Sequence, residues 1–339
     1  MPRENENLQE LEETIKNLVI SYGGKDGQLD SDLVGQMIFT SLKLLDGHDT
    51  SQIKLMTRAL KEMRHAFHIF NGYPHVRKIS IFGSARTPSN HPDYTAAKAF
   101  SQAMAEMGWM CITGGAHGIM KAGLEGQHSD SRFGLSIRLP FESTVNELLE
   151  GDRKAIMFRY FFTRKLMFMS HSDALAAFPG GVGTMDELFE ALTLMQTGKG
   201  AIIPVILMEG LDGGYWQAWR EFVEKGMLAQ KMIDPADLHF FYHASCIEDA
   251  VQHLNAFYKR YHSSRYVGDL LVIRLRETLS EEKLDQLNQQ FAGIVASGKI
   301  EQCPPLPEED EFLGLPRLVF HHTRRKFGLV RALIDAINS

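Results

Sequence analysis

Apolar residues return every three or four positions along roughly residues 7–72, which predicts helices and no strands there. Leu8, Leu11, Ile15, Leu18 and Val19 make one stripe, ended by Gly23-Gly24. Leu33, Met37, Ile38, Leu42 and Leu45 make a second, closed by Gly47. A third runs through Ile53, Met56, Leu60, Met63, Phe67 and Phe70 and stops at Asn71-Gly72. Met and Phe at this spacing pack against other apolar surface, so the segment reads as a packing or oligomerisation layer.

From Val76 the pattern changes to short apolar runs separated by helical stretches. Strands are expected at 78–82, 109–113, 134–139, 174–178 and 202–208, and helices at 94–107, 119–126, 152–170, 185–196 and 215–225. This alternation predicts a Rossmann-like, doubly wound α/β fold with a parallel sheet covered on both faces. After Tyr261 a small α/β appendage is expected, with strands at 269–275 and 318–321 and helices at 280–295 and 324–337. The domain reading is therefore 1–73 helical, 74–261 Rossmann-like and 262–339 a small C-terminal region.

Composition narrows the partners. The 339 residues carry a net charge of −6 and a pI near 6.2, which argues against a nucleic-acid polymer or an anionic membrane as the partner. No apolar run reaches the roughly 20 residues of a membrane helix. The polar start MPRENENLQELEE does not resemble a signal peptide, and Cys111, Cys246 and Cys303 are scattered without zinc-ligand spacing. A cytoplasmic protein with no metal is expected. Any anionic ligand has to be met by local chemistry.

That chemistry is suggested at three strand ends: Gly83-Ser84, Gly114-Gly115-Ala116-His117-Gly118, and Gly180-Gly181-Val182-Gly183-Thr184. Glycine allows a sharp turn and close approach of a ligand to backbone amides, and a following helix adds a favourable dipole for phosphate. Thr184 could add a hydroxyl. The dinucleotide fingerprint and the P-loop are both absent, since the first strand ends in F-G-S-A-R. Arg164 and Lys165 interrupt the apolar Y-F-F-T-R-K-L-M-F, and Glu187 is expected on the first turn of the helix after P-G-G-V-G-T. Taken alone, the basic pair could snorkel to the surface, and either Glu187 or Asp186 could simply complement the helix dipole.

The string P-G-G-V-G-T-M-D-E (179–187) resembles the P-G-G-x-G-T-x-x-E signature of the Lonely Guy (LOG) family of nucleotide phosphoribohydrolases, often labelled lysine decarboxylase-like. The resemblance runs from about Ile79 to Trp219 and includes I-F-G-S-A-R (81–86), T-G-G-A-H-G-I-M (113–120), L-P-F-E (139–142), Asn146, Y-F-F-T-R-K (160–165) and L-F-E-A-L-T-L-M-Q-T-G (188–198). It implies hydrolysis of the N-glycosidic bond of a nucleoside 5′-monophosphate, AMP or a cytokinin ribotide, by a homodimer or larger oligomer that uses no cofactor. Carried across, the catalytic residues are Arg164 and Glu187. The implied substrate contacts are Gly83, Ser84, Gly114, Gly115, Gly118, Asn146, Lys165, Gly180, Gly181, Gly183 and Thr184. Ala116 and His117 depart from the family's usual G-G-G-x-G at the second turn. The decarboxylase label lacks chemical support, because no lysine stands in a pyridoxal-phosphate setting. A non-catalytic nucleotide binder is the alternative on the same fold. The basic run His321–Lys326 is a candidate for a second anion, although a solvated helix end explains it better.

Overall fold

The computed structural model describes residues 2–139, 146–211 and 213–339, with side chains from residue 8 onward. It divides into two compact units, Met1–Glu62 and Met63–Ser339. The first holds α1 (Pro2–Ser21), α2 (Leu29–Lys43) and the start of α3 (Thr50–Phe70), where the three apolar stripes predict helices. Gly24 closes the α1–α2 turn under Val19: a Cβ at this position would lie 2.6 Å from Val19 Cγ1. No residue of α2 is buried, and Leu29, Leu33, Met37 and Leu45 stay exposed.

The second unit contains a parallel sheet of seven strands: β1 (Lys78–Phe82), β2 (Met110–Thr113), β3 (Arg132–Ile137), β4 (Ala155–Phe158), β5 (Ala174–Ala177), β6 (Val205–Leu207) and β7 (Phe241–His243). Their order is β4-β3-β2-β1-β5-β6-β7, and each neighbouring pair is parallel. The interleaved helices are α4 (Pro92–Glu106), α5 (Ile119–Glu125), α6 (Phe161–His171), α7 (Val182–Gln196), α8 (Tyr215–Phe222) and α9 (Ile247–Phe257). Every residue of β1, β2, β5 and β6 is buried, so both faces of the central sheet are covered. The fold is Rossmann-like α/β. No helix among the described residues is long and apolar enough to cross a membrane.

The chain builds β1 to β4 outward on one side, then returns to place β5 on the other side of β1. The strand order therefore reverses between β1 and β5, the crevice where open α/β sheets receive ligands. Two of the three glycine turns, after β1 and after β5, stand at this switch.

Several sequence expectations need correction. The helix expected over 152–170 is a strand followed by a shorter helix: residues 155–158 pair with β3, and α6 begins only at Phe161. Ile156 and Phe158 are buried while Met157 is exposed, a period of two that a helical reading of the stretch overlooks. β7 is an edge strand of only half-buried residues and carries no apolar run.

After α9 the chain forms an antiparallel sheet in the order β10-β11-β9-β8, comprising β8 (Tyr261–Val267), β9 (Leu270–Leu275), β10 (Val295–Cys303) and β11 (Arg317–His322). The inner strands β9 and β11 are apolar and were expected. The outer strands β8 and β10 are largely polar and half-exposed, and were not. α10 (Glu281–Gln290) is capped by the Ser280 hydroxyl, which accepts the Lys283 amide at 3.2 Å, and it ends five residues before the expected 295. The closing helix α11 (Phe327–Asn338) is tied to the α9–β8 junction. Asn338 Oδ1 accepts the Arg260 and Tyr261 amides, and its Nδ2 donates to the Phe257 carbonyl.

Candidate active site

The turn after β1 and the turn after β5 are joined by their backbones. The Ser84 amide donates to the Pro179 carbonyl at 3.0 Å, and the Phe178 amide to the Phe82 carbonyl at 2.8 Å. Between them opens a cleft of about 570 Å³, within the ~300–1,000 Å³ range of small-ligand sites. Gly83, Ser84, Gly114, Arg164, Gly181, Gly183, Thr184 and Glu187 all line it. Residues far apart in sequence thus meet at the switch point.

The glycines divide into two kinds. At Gly180 a Cβ would lie 2.1 Å from Thr184 Oγ1, and at Gly118 it would lie 2.2 Å from the Ser84 carbonyl oxygen. These glycines allow neighbouring turns to pack. A Cβ at Gly181 or Gly183 would meet nothing within 4 Å, and both residues line the cleft. Gly181 is the N-cap of α7 and no side chain caps that helix, so its first amides have no side-chain acceptor. An uncapped helix start flanked by bare glycine backbone suits a phosphate.

The second turn contributes less than expected. The Gly115 amide is held by Thr113 Oγ1 at 3.1 Å, and the Ile119 amide by the Ser84 carbonyl at 3.0 Å. Gly115 and Gly118 have φ of +69° and +60° and do not line the cleft; Gly114 does. Asn146 is buried and engaged within the fold, its Nδ2 donating to the Ala116 carbonyl and its Oδ1 accepting the Leu148 amide. It braces the second turn from behind. Residues 140–142 of the L-P-F-E stretch lie outside the described residues.

Side chains of α6 and α7 meet at the cleft. Arg164 Nη2 lies 3.6 Å from Glu187 Oε1, with both side chains largely buried. Glu187 stands in the second turn of α7, which begins at Val182, so its carboxylate is not the dipole cap that a first-turn placement implies. Glu187 Oε2 and Arg164 Nε are buried without a hydrogen-bond partner among the described residues. Burial pushes the Glu187 carboxyl up to about 7, against the pull of the Arg164 and Lys165 charges. Burial also lowers the Arg164 guanidinium, although this group stays cationic. Lys165 turns away from the cleft and joins the helices, its Nζ 2.8 Å from Asp186 Oδ1 and 2.5 Å from Glu190 Oε2. Its position is that of a brace between α6 and α7.

Phe82, Ala85, Arg86, Met120, Phe168 and Val182, none of them a candidate from the sequence, also line the cleft. Arg86 was readable, since it closes the F-G-S-A-R turn two residues after Ser84 and its amide donates to Ser84 Oγ at 3.1 Å. Phe161 and Phe168 flank the Arg164 guanidinium at 5.0 and 5.8 Å.

The family described as "Possible lysine decarboxylase" matches residues 99–254. Cytokinin riboside 5′-monophosphate phosphoribohydrolase LOG5 of Arabidopsis thaliana is 31% identical over 134 residues, 40% of this chain and 54% of the relative. The cytokinin riboside 5′-monophosphate phosphoribohydrolase of Mycobacterium tuberculosis is 26% identical over 184 residues, 52% of this chain and 96% of the relative. The chain is thus similar to LOG phosphoribohydrolases over part of its length. It spans about half the length of the plant relative. Among solved structures, the molybdenum cofactor binding protein from Rippkaea orientalis aligns with a TM-score of 0.38 and 21% identity, over 54% of this chain and 97% of that one. The family match over residues 99–254 lies within the parallel-sheet region and includes Gly114, Arg164, Gly181, Gly183, Thr184 and Glu187 of the cleft, while residues 82–86 precede it.

Proposed function

We propose that this chain belongs with the LOG phosphoribohydrolases and hydrolyses the N-glycosidic bond of a nucleoside 5′-monophosphate, releasing a free base and ribose 5-phosphate. The observation that carries the proposal is the Arg164–Glu187 pair, buried together in a cleft that also takes in the uncapped start of α7. In this reading the amides from Gly181 to Gly183, with Thr184, take the 5′-phosphate, and remote binding energy positions the reacting sugar carbon. Breaking the bond develops positive charge on the ribose, as in glycoside hydrolysis. The unpartnered Glu187 Oε2 is available to meet the ribose and that charge. A carboxyl poised near 7 also exchanges a proton readily with an incoming water. Arg164 orients the carboxylate and supplies a fixed positive charge for the departing base. The names of the plant and mycobacterial relatives support a nucleoside 5′-monophosphate as the substrate class.

The test is chromatography of AMP incubated with the full chain and with Glu187→Ala and Arg164→Ala. Adenine and ribose 5-phosphate should appear in equal amounts with the wild type and fall to background with either variant. AMP bound tightly but left intact by the wild type would instead favour the non-catalytic binder.

A further inference from the structure

A second cavity, of about 560 Å³, lies at the opposite end of the parallel sheet, where the chain enters β1 and β5 and where β8 and β9 of the antiparallel sheet approach. Arg77, Lys78, Arg274 and Arg276 line it, with Asp173 as the single carboxylate in its wall. In a chain of net charge −6, this is a local reversal of sign.

Two of these cations are already accounted for. Lys78 Nζ donates to the Tyr73 and Val76 carbonyls, and Arg274 pairs with the buried Glu309 at 3.0 Å. Asp173 is partly engaged as well, its Oδ2 accepting the Lys78 amide at 2.9 Å. Arg77 and Arg276 form no ion pair among the described residues. The Arg77 guanidinium lies 3.5 Å from the centre of the Tyr258 ring and 5.5 Å from that of Trp109. This stacking fixes the guanidinium plane, and its edge donors make no hydrogen bond among the described residues. Arg276 spends only Nε, on the Tyr258 carbonyl at 3.1 Å. His171 also lines the cavity, and its Nε2 is buried without a partner.

We propose that this cavity is a second ligand site, for a small phosphate-bearing anion whose charged contacts are Arg77 and Arg276. Neither guanidinium has a salt-bridge partner among the described residues, and the one carboxylate acting on Arg77, Asp173, does so from a distance. The excess positive charge suits a phosphate group, which carries more than one negative charge near neutral pH, better than a single carboxylate. The fork geometry of arginine matches phosphate oxygens, and the volume exceeds that of a lone ion. The local field agrees with this assignment. Burial, together with the Arg276, Arg77, Arg274 and Arg317 charges, holds the neighbouring His262 imidazole down to about 4. His262 is therefore neutral at pH 7, and the positive charge rests on the arginines. An anion here would join the amino end of the parallel sheet to the antiparallel sheet.

The experiment is isothermal titration of the full chain with orthophosphate, pyrophosphate and ATP, repeated on Arg276→Gln and Arg77→Gln. Arg276 is exposed, so its replacement leaves the fold intact, as an unchanged melting curve verifies. Pyrophosphate should bind the wild type, and Arg276→Gln should weaken it about tenfold or more, the usual size of one charge-assisted contact. Tighter binding of ATP than of pyrophosphate, lost in Arg276→Gln, would extend the site to a nucleotide. Failure of all three anions to bind, or identical binding by Arg276→Gln and wild type, would overturn the proposal.

Discussion

The two ends of the parallel sheet are built for charge in different ways. At the carboxyl end the positive potential comes from backbone: the uncapped start of α7 and glycines with open space beside them. One buried arginine and one buried carboxylate complete that site. At the amino end it comes from side chains, with arginines gathered from the entry to β1 and from β9 and its following residue. Main-chain donors are fixed by the fold and cost little to preorganise. Side-chain cations need their own support, here an aromatic face for Arg77 and a carbonyl for Arg276. The first arrangement suits chemistry at a defined atom, and the second suits capture of charge.

The largest effect expected is at the carboxyl end. Glu187→Gln keeps the shape but removes the ionisable carboxyl, and base release from AMP should fall about 10²–10⁴-fold while the far-ultraviolet dichroism is unchanged. A loss below threefold would remove Glu187 from the reaction and break the contrast between the two ends.

Next in size is a packing effect. Gly118→Ala adds a Cβ 2.2 Å from the Ser84 carbonyl at φ +60°, so the first and second turns must separate. The expected cost is about 2–4 kcal/mol of stability, from overpacking and left-handed strain together, measured by urea unfolding.

The two ends should also respond oppositely to pH. Glu187 has a folded value near 7, above the ordinary 4.5, so the folded state holds a proton that the unfolded chain releases between these values. Its contribution to stability therefore falls as pH rises from about 4.5 to 7, and then levels. His262 and His171 have folded values near 4, below the ordinary 6.5, so their contribution is complete above 6.5 and is lost as pH falls toward 4. Melting curves across pH 4–8 should show Glu187→Gln flattening the loss on the alkaline side and His262→Gln the loss on the acid side. Parallel shifts in both variants at every pH would contradict these assignments.

The smallest stability effect belongs to Gly181→Ala. The position is open and φ is −88°, so the change in unfolding free energy should stay within about 0.5 kcal/mol, while the new methyl group enters the cleft and raises KM for AMP. A large stability loss with unchanged KM would mean that the space beside Gly181 is filled by protein.

The same contrast decides what could be read from the sequence. The backbone site is made of short contiguous strings, so its glycines, Thr184, Arg164 and Glu187 could all be named, and β1, β2 and β5 stood out as buried apolar runs. Placing each residue within the site was harder. Nothing in the local sequence shows that Lys165 reaches Asp186 and Glu190, or that Asn146 braces the Ala116 carbonyl from outside the cleft. β4, β7, β8 and β10 were missed because edge and outer strands bury at most one face and carry mixed residues. The arginine cavity left no local signal at all, since Arg77 and Arg276 meet only once the antiparallel sheet has folded back. The run that did look basic, His321–Lys326, is partly spent internally: Arg324 pairs with Asp269 and lies over Tyr266, and His322 bonds the Tyr266 hydroxyl.

The central claim is that the switch-point cleft recognises the 5′-phosphate and acts on the glycosidic bond beyond it. The most direct measurement is kcat/KM for base release from AMP against adenosine, using the wild-type chain at pH 7.5. AMP should be preferred by about 10³-fold or more, since the α7 start has no anion to bind in the nucleoside. Equal rates with the two, or release from adenosine alone, would contradict it.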